Sequence, residues 1–173
     1  MGLQSANKDT RPMATHPVKA CVAVGANLGN ALATVRQSVR DLQELPDSRV
    51  LRVSSMYRTA PIDATGPDFV NAVVLMETRL AALDLLHALQ SLELKAGRER
   101  PYVNAPRTLD LDVIFYGECE LATPELTLPH PRWKERAFVV IPLAQVCPER
   151  VNKTLLAYVQ YQAIERIEDQ AAP

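Results

Sequence analysis

Cysteine, histidine and glycine are all scarce in this 173-residue chain, and each scarcity closes a route. Cys21, Cys119 and Cys147 are odd in number, far apart and never in a C-x-x-C pair, which excludes a disulfide framework or a zinc knuckle. All three read as small buried hydrophobes. His16, His87 and His130 are too scattered to spell a zinc site. Six glycines form neither G-x-x-x-x-G-K-S/T nor G-x-G-x-x-G, so no phosphate can rest in a P-loop or under a kinase glycine loop. A G-x-S-x-G nucleophile elbow is missing too, which weakens a serine-hydrolase reading. No apolar run approaches the ~18 residues of a membrane span. Residues 1–17 hold no hydrophobic signal segment, and a cytoplasmic location is expected. Charge of one sign is also lacking: 19 basic side chains against 20 acidic ones argue against a general binder of polyanions.

What remains is a chain with 47% hydrophobic and 23% charged residues, a composition that supports one buried core at this length. Residues 1–18, with Pro12, Pro17 and a second Met13, read as a flexible tail. Residues 19–168 read as one domain and 169–173 as a short end. Residues 20–24 are apolar and strand-like, and Gly25-Ala26-Asn27-Leu28-Gly29 turns the chain into a helix over 30–45, capped by Asn30. Strand patterns follow at 50–58, 69–78 and 109–116. A second helix is expected over 81–96, with Gly97 at its end. Residues 137–146 are apolar but interrupted by Pro142, so helix and strand both stay open there. A terminal amphipathic helix is expected over 154–167. The order β-α-β-β-α-β predicts an α+β, ferredoxin-like antiparallel sheet with helices packed on one face, plus a C-terminal extension. Three long loops remain, at 57–68, 97–108 and 121–136, and long loops in a compact domain are often functional.

The strongest chemical signal is Asp110-Leu111-Asp112. On a strand, alternate residues share a face about 6.5–7 Å apart, so the two carboxylates stand together while Leu109, Leu111 and Val113 face the core. In isolation such a pair is often only the wet side of an alternating strand. It also suits Mg²⁺, which takes one or two carboxylates and leaves its remaining positions to phosphates and water. Arg98, Arg100 and Arg107 lie just upstream, and guanidinium forks match phosphate oxygens. Surface salt bridges are the bland alternative, in a chain with 14 arginines and 5 lysines. Aromatics make up only 5%. Phe69 lies near Asn71, and Trp133 and Phe138 flank Arg136, so rings are available to sandwich a planar heterocycle; core packing is the competing role.

Several runs together carry a resemblance. They are Gly25 to Gly29, Ser54-Ser55-Met56-Tyr57-Arg58-Thr59, Phe69-Val70-Asn71-Ala72, Gly97-Arg98-Glu99-Arg100, Pro106-Arg107-Thr108-Leu109-Asp110-Leu111-Asp112, Leu128-Pro129-His130-Pro131 and Arg136-Ala137-Phe138-Val139. In this order they resemble the 6-hydroxymethyl-7,8-dihydropterin pyrophosphokinase family over about residues 19–150. That family's fold is ferredoxin-like. The resemblance implies transfer of a diphosphate from ATP, the co-substrate, to the hydroxymethyl group of the pterin. It implies two Mg²⁺ ions on Asp110 and Asp112, and charge stabilisation by Arg98 and Arg107. Gln90, Glu93, Arg98, Arg100, Val113, Thr127, His130 and Arg136 match ATP-binding positions. Thr59, Ala60, Ile62, Phe69, Asn71 and Phe138 match the pterin pocket, the two phenylalanines stacking on the ring.

Departures from the family pattern are local. Asn104-Ala105 replace a Trp-Gly pair that some members carry, so a loop tryptophan is missing. Phe69 stands where a tyrosine often occurs, and Ala60 replaces a frequent proline. His87 has no counterpart and reads as an ordinary helix residue. A non-catalytic module that binds RNA or a small effector is the competing class. Its aromatic RNP1 pattern is reduced here to Ala137-Phe138-Val139-Val140, and two carboxylates on the sheet would repel a phosphate backbone. The expected partners are therefore small molecules, with no nucleic acid or membrane, and the expected state is a monomer.

Overall fold

The computed structural model describes residues 14–62, 65–97 and 108–168. Strand β1 (Val18–Ala26) is an inner strand of a six-stranded sheet, next to its edge. It pairs antiparallel with β4 (Phe69–Thr78) on one side and with β5 (Asp110–Tyr116) on the other. Beyond β4 lie β2 (Ser48–Val53) and β3 (Tyr57–Thr59), and a terminal strand β8 (Glu165–Arg166) adds to β3. The order is β5-β1-β4-β3-β8, with β2 also on β4. A two-stranded hairpin, β6 (Leu121–Ala122) with β7 (Thr127–Leu128), completes the strands.

Both faces of this sheet are covered, because its inner strands carry apolar residues at both parities. Val22, Val24, Ala72, Val74 and Leu111 are buried together with Val35 and Leu42 of helix α1 (Ala31–Gln43) and Leu85 and Leu89 of α2 (Ala82–Lys95). On the opposite face, Cys21, Val73, Leu75 and Ile114 pack against Val139, Val140 and Leu143 of α3 (Ala137–Val146) and against Val159 of α4 (Lys153–Val159). This corrects the expectation of helices on one face. The 137–146 run is a helix despite Pro142, and six of its ten residues are buried.

Four further local expectations are revised. The strand pattern at 50–58 is broken at Ser54, whose Oγ accepts the Val73 N–H at 2.9 Å and donates to Ser55 C=O at 2.7 Å. A side chain there takes the place of a ladder bond, and the strand divides. The C-terminal helix stops at Val159, and the chain then turns to form β8 rather than continuing helical to 167. Cys119 is exposed, while Cys21 and Cys147 are buried. Within the stretch read as a tail, Val18 already belongs to β1 and the Ala14 N–H donates to Arg79 C=O at 3.0 Å. Asn30 caps α1 as expected, its Oδ1 accepting the Ala33 N–H at 3.0 Å.

Candidate active site

A cavity of about 500 Å³ opens on the α3 face of the sheet, at the end where β5 begins. Its floor is built by strand alternation. Asp110 lies opposite Gly25, which lies opposite Asn71, which lies opposite Tyr57; two pairs further along, Asp112 faces Ala23. The small side chains at positions 23 and 25 leave the space above β1 open between the carboxylates and β4. A Cβ built on Gly25 would stand 3.2 Å from Asn71 Oδ1, so glycine keeps that floor clear. Leu109, Leu111 and Val113 are buried on the other face, in agreement with the alternation read from the sequence.

On the β3–β4 side, Thr59, Ala60, Ile62, Phe69 and Asn71 line the cavity. Asn71 Nδ2 donates to Thr59 Oγ1 at 2.8 Å, and both residues are buried, which fixes the amide plane. Opposite them stands the start of α3, where Arg136 is the N-cap residue and Phe138 lies two residues on. The Arg136 guanidinium carbon lies 5.5 Å from the centre of the Phe138 ring. Burial and then the neighbouring Arg132 pull the Arg136 guanidinium below its ordinary pKa, while the carboxylates of Asp112 and Asp110 pull it back up. The cavity thus gathers a ring and an amide from β4, a ring and an arginine from the start of α3, and two carboxylates from β5.

Nine of the residues singled out from the sequence meet in this cavity: Thr59, Ala60, Ile62, Phe69, Asn71, Asp110, Asp112, Arg136 and Phe138. Five others are not on its wall. Gln90 and Thr127 are exposed on α2 and β7. The Val113 side chain is buried against the α1–α2 face. Glu93 is buried beneath β5, where its Oε1 accepts the Leu111 N–H at 2.7 Å, the amide between the two aspartates. His130 is half-buried beside β5, its N–H donating to Ile114 C=O at 2.9 Å. Its Nδ1 accepts the Arg132 N–H at 3.2 Å, which in the neutral ring leaves the proton on Nε2. Burial, followed by the Arg136 charge, lowers the His130 pKa. Arg98, Arg100 and Arg107, and Asn104-Ala105, lie outside the described residues.

Trp133 does not join the cavity; it packs edge-on against Phe115, ring centres 4.9 Å apart, and is buried. His87 is not solitary, since its Nε2 lies 3.0 Å from Glu125 Oε2. Sequence reasoning missed Arg132, Glu135, Tyr158, Tyr161 and Gln162, all of which line the cavity. The last three come from the segment expected to be one amphipathic helix, where nothing local marks them.

Asp110 and Asp112 also fit Mg²⁺ by donor chemistry. They are two oxygen donors on one face beside open space, and among the described residues no cluster of three or more metal-ligating side chains competes. No helix among those residues is long and apolar enough to cross a membrane.

Comparison with known proteins places these features in context. A family model for 7,8-dihydro-6-hydroxymethylpterin-pyrophosphokinase matches residues 21–148. The 2-amino-4-hydroxy-6-hydroxymethyldihydropteridine pyrophosphokinase of Pseudomonas aeruginosa is 40% identical, over 84% of this chain and 94% of its own. The enzyme of the same name from Bacillus subtilis is 37% identical, over 75% and 78% respectively. Among solved structures, the Plasmodium falciparum HPPK-DHPS superposes with a TM-score of 0.64 at 13% identity, covering 83% of this chain. The matched region is 45% of that longer chain, and the likeness speaks for the fold.

Proposed function

The chain belongs to the 7,8-dihydro-6-hydroxymethylpterin-pyrophosphokinase family, and from that premise we propose that it transfers the β,γ-diphosphate of ATP to the hydroxymethyl oxygen of 6-hydroxymethyl-7,8-dihydropterin. The bond from the β-phosphorus to the α–β bridging oxygen breaks, a bond to the hydroxymethyl oxygen forms, and AMP leaves with the electron pair. The hydroxyl proton passes to solvent. The observation that carries this reading is the cavity that gathers Phe69, Phe138, Asn71 and Thr59 with Asp110, Asp112 and Arg136 in one space.

Each residue has a physical task. Phe69 and Phe138 offer ring faces to the pterin, a stacking worth about 0.5–1.5 kcal/mol beyond burial. Asn71, held by Thr59, reads the polar edge of the heterocycle. Two Mg²⁺ ions, held by Asp110 and Asp112, would supply charge neutralisation of the phosphates and a lowered hydroxyl pKa. Arg136 faces the same phosphates, and a cation fixed in a half-buried wall stabilises developing charge without reorganising. His130, with its proton on Nε2, is a donor suited to a phosphate oxygen. Arg98, Arg100 and Arg107 would add cations for the transferring group, and Gln90, Glu93, Val113 and Thr127 would complete the nucleotide site. A single domain over residues 19–168, acting as a cytoplasmic monomer, belongs to the same proposal. The strand order β5-β1-β4-β2/β3 supports a ferredoxin-like sheet, here with a second helical layer.

The test is AMP release from ATP with and without the pterin, in Mg²⁺ and in EDTA. AMP that appears only with pterin and metal is the expected result. ADP in its place would mean an ordinary kinase on this scaffold, and no product from folded protein would return the binding-module reading.

A further inference from the structure

We propose that Gln162 is a positioning residue for the transfer, its side-chain amide clamping the backbone on both sides of Arg136 and thereby holding Arg136 and Phe138 at the cavity. Gln162 Oε1 accepts the Ala137 N–H at 2.9 Å, and Gln162 Nε2 donates to Glu135 C=O at 2.7 Å. One planar group thus pairs with the residues before and after Arg136, much as a neighbouring strand would. The bracketed backbone is extended, with Arg136 at φ −115° and ψ 110°.

The clamp answers a specific need. The start of α3 is short of partners: its N-cap is an arginine that makes no side-chain capping bond. The first amides of a helix have no acceptor within it, and a buried one left unpaired costs about 1–3 kcal/mol. Gln162 supplies that acceptor from 25 residues away. Because Phe138 lies one helical position after Ala137, fixing this turn also fixes the ring. The inference rests on the functional reading above, since it concerns what Arg136 and Phe138 do there.

Gln162 is itself well held, which is what makes a long side chain worth ordering. Its N–H donates to the C=O of Val159 at 3.1 Å, and Val159 is fully buried. Downstream, β8 pairs with β3 and the Ile167 N–H donates to Met56 C=O at 2.8 Å. The turn carrying Gln162 is therefore tied at one end to α3's own layer and at the other to the edge strand that supplies Thr59. Gln162 lies beyond the residues 21–148 that the family model matches, so this contribution to the site comes from outside the region the family is recognised by.

A double-mutant cycle separates positioning from mere helix capping. Gln162→Leu keeps the volume and removes both bonds. The expected result is a roughly ten- to hundredfold fall in kcat/KM, the scale on which small misplacements act, with kcat as well as the pterin KM affected. In an Arg136→Lys background the same change should cost at least about threefold less than in the wild type, because one of the two groups it positions is already impaired. Gln162→Glu guards against a folding defect: a carboxylate still accepts the Ala137 N–H and suits a helix N-terminus, yet has no donor for Glu135 C=O. It should hold the wild-type melting temperature and still lose activity. Additive losses in the cycle, or a Gln162→Glu enzyme within twofold of wild type, would overturn the positioning role. If the wild-type protein itself releases no AMP, it is the functional reading that fails, whatever Gln162 does.

Discussion

Replacing Glu93 by leucine tests how the two aspartates are held. Glu93 is 1% exposed, and its Oε1 accepts the Leu111 N–H at 2.7 Å. That amide lies between Asp110 and Asp112 on β5, facing α2 rather than β1. Leaving that buried amide without its acceptor costs about 1–3 kcal/mol. Unfolding entropy near 2.1 cal/mol/K per residue gives roughly 0.36 kcal/mol/K for 173 residues, so Tm should fall by about 3–8 °C. The sharper readout is native-state hydrogen exchange at the Leu111 amide. Its protection should fall by about one to two orders of magnitude at 1.4 kcal/mol per tenfold, ahead of any change at Val113. The start of β5 would then be looser, and the diphosphate transfer should slow by about tenfold or more, since the two carboxylates proposed to hold metal must keep their places within a fraction of an ångström. Unchanged exchange at Leu111 in the leucine variant would refute the argument, because it would mean that Glu93 does not hold this strand.

Other perturbations read other parts of the site. Asp110→Asn should reduce AMP release by at least a hundredfold while the protein stays folded; a comparison of turnover and thermal denaturation checks it. Gly25→Ala, whose new methyl would meet Asn71 Oδ1 at 3.2 Å, should raise the pterin KM several-fold. Gly29→Ala meets nothing within 4 Å and, at φ +60°, should lower stability by about 1 kcal/mol with KM intact. His130 has its pKa lowered in the folded state by burial and by Arg136. Its contribution to stability is therefore present above the unfolded value of about 6.5 and lost as pH falls through the folded value. Tm should decline as pH is lowered below that point, and His130→Gln should flatten that part of the curve.

Local patterns wrote much of this into the sequence, and long-range pairing wrote the rest. The alternation of Leu109, Asp110, Leu111, Asp112 and Val113 placed the carboxylates on one face correctly because strand geometry is a local rule. Apolar residues at both parities of β1 and β4 bury two faces, although the order of elements predicted helices on only one. Only the ambiguity of the 137–146 segment around Pro142 hid the helix that covers the second one. Ser54 broke a strand through a bond to Val73, nineteen residues away, which no window of local propensity contains. The 154–167 segment kept helical spacing through Leu155 and Val159, but pairing with β3 claimed its end. Tyr158, Tyr161 and Gln162 were invisible for that reason: their role depends on where the turn is carried, not on what surrounds it in the chain. Thr59, Ala60, Ile62, Phe69, Asn71, Phe138 and Arg136, marked by motif resemblance, meet in one cavity, and the bond from the Leu111 amide to Glu93 is a long-range contact that no local pattern shows.

The addition of β8 also has a consequence for how the folded protein behaves in a crowded solution. An open edge strand presents unpaired amides and carbonyls that recruit other chains, and β3, with its exposed Arg58 and neighbouring Ile62, would be such an edge. Glu165 and Arg166 of β8 cover it with a short, charged, exposed strand of a kind poorly suited to further growth. At the other border, the His130 amide takes up the Ile114 carbonyl of β5. A chain that lost its final turn after synthesis, by proteolysis for example, would therefore expose a sticky border before it lost its core, and self-association would be the earliest sign of the damage.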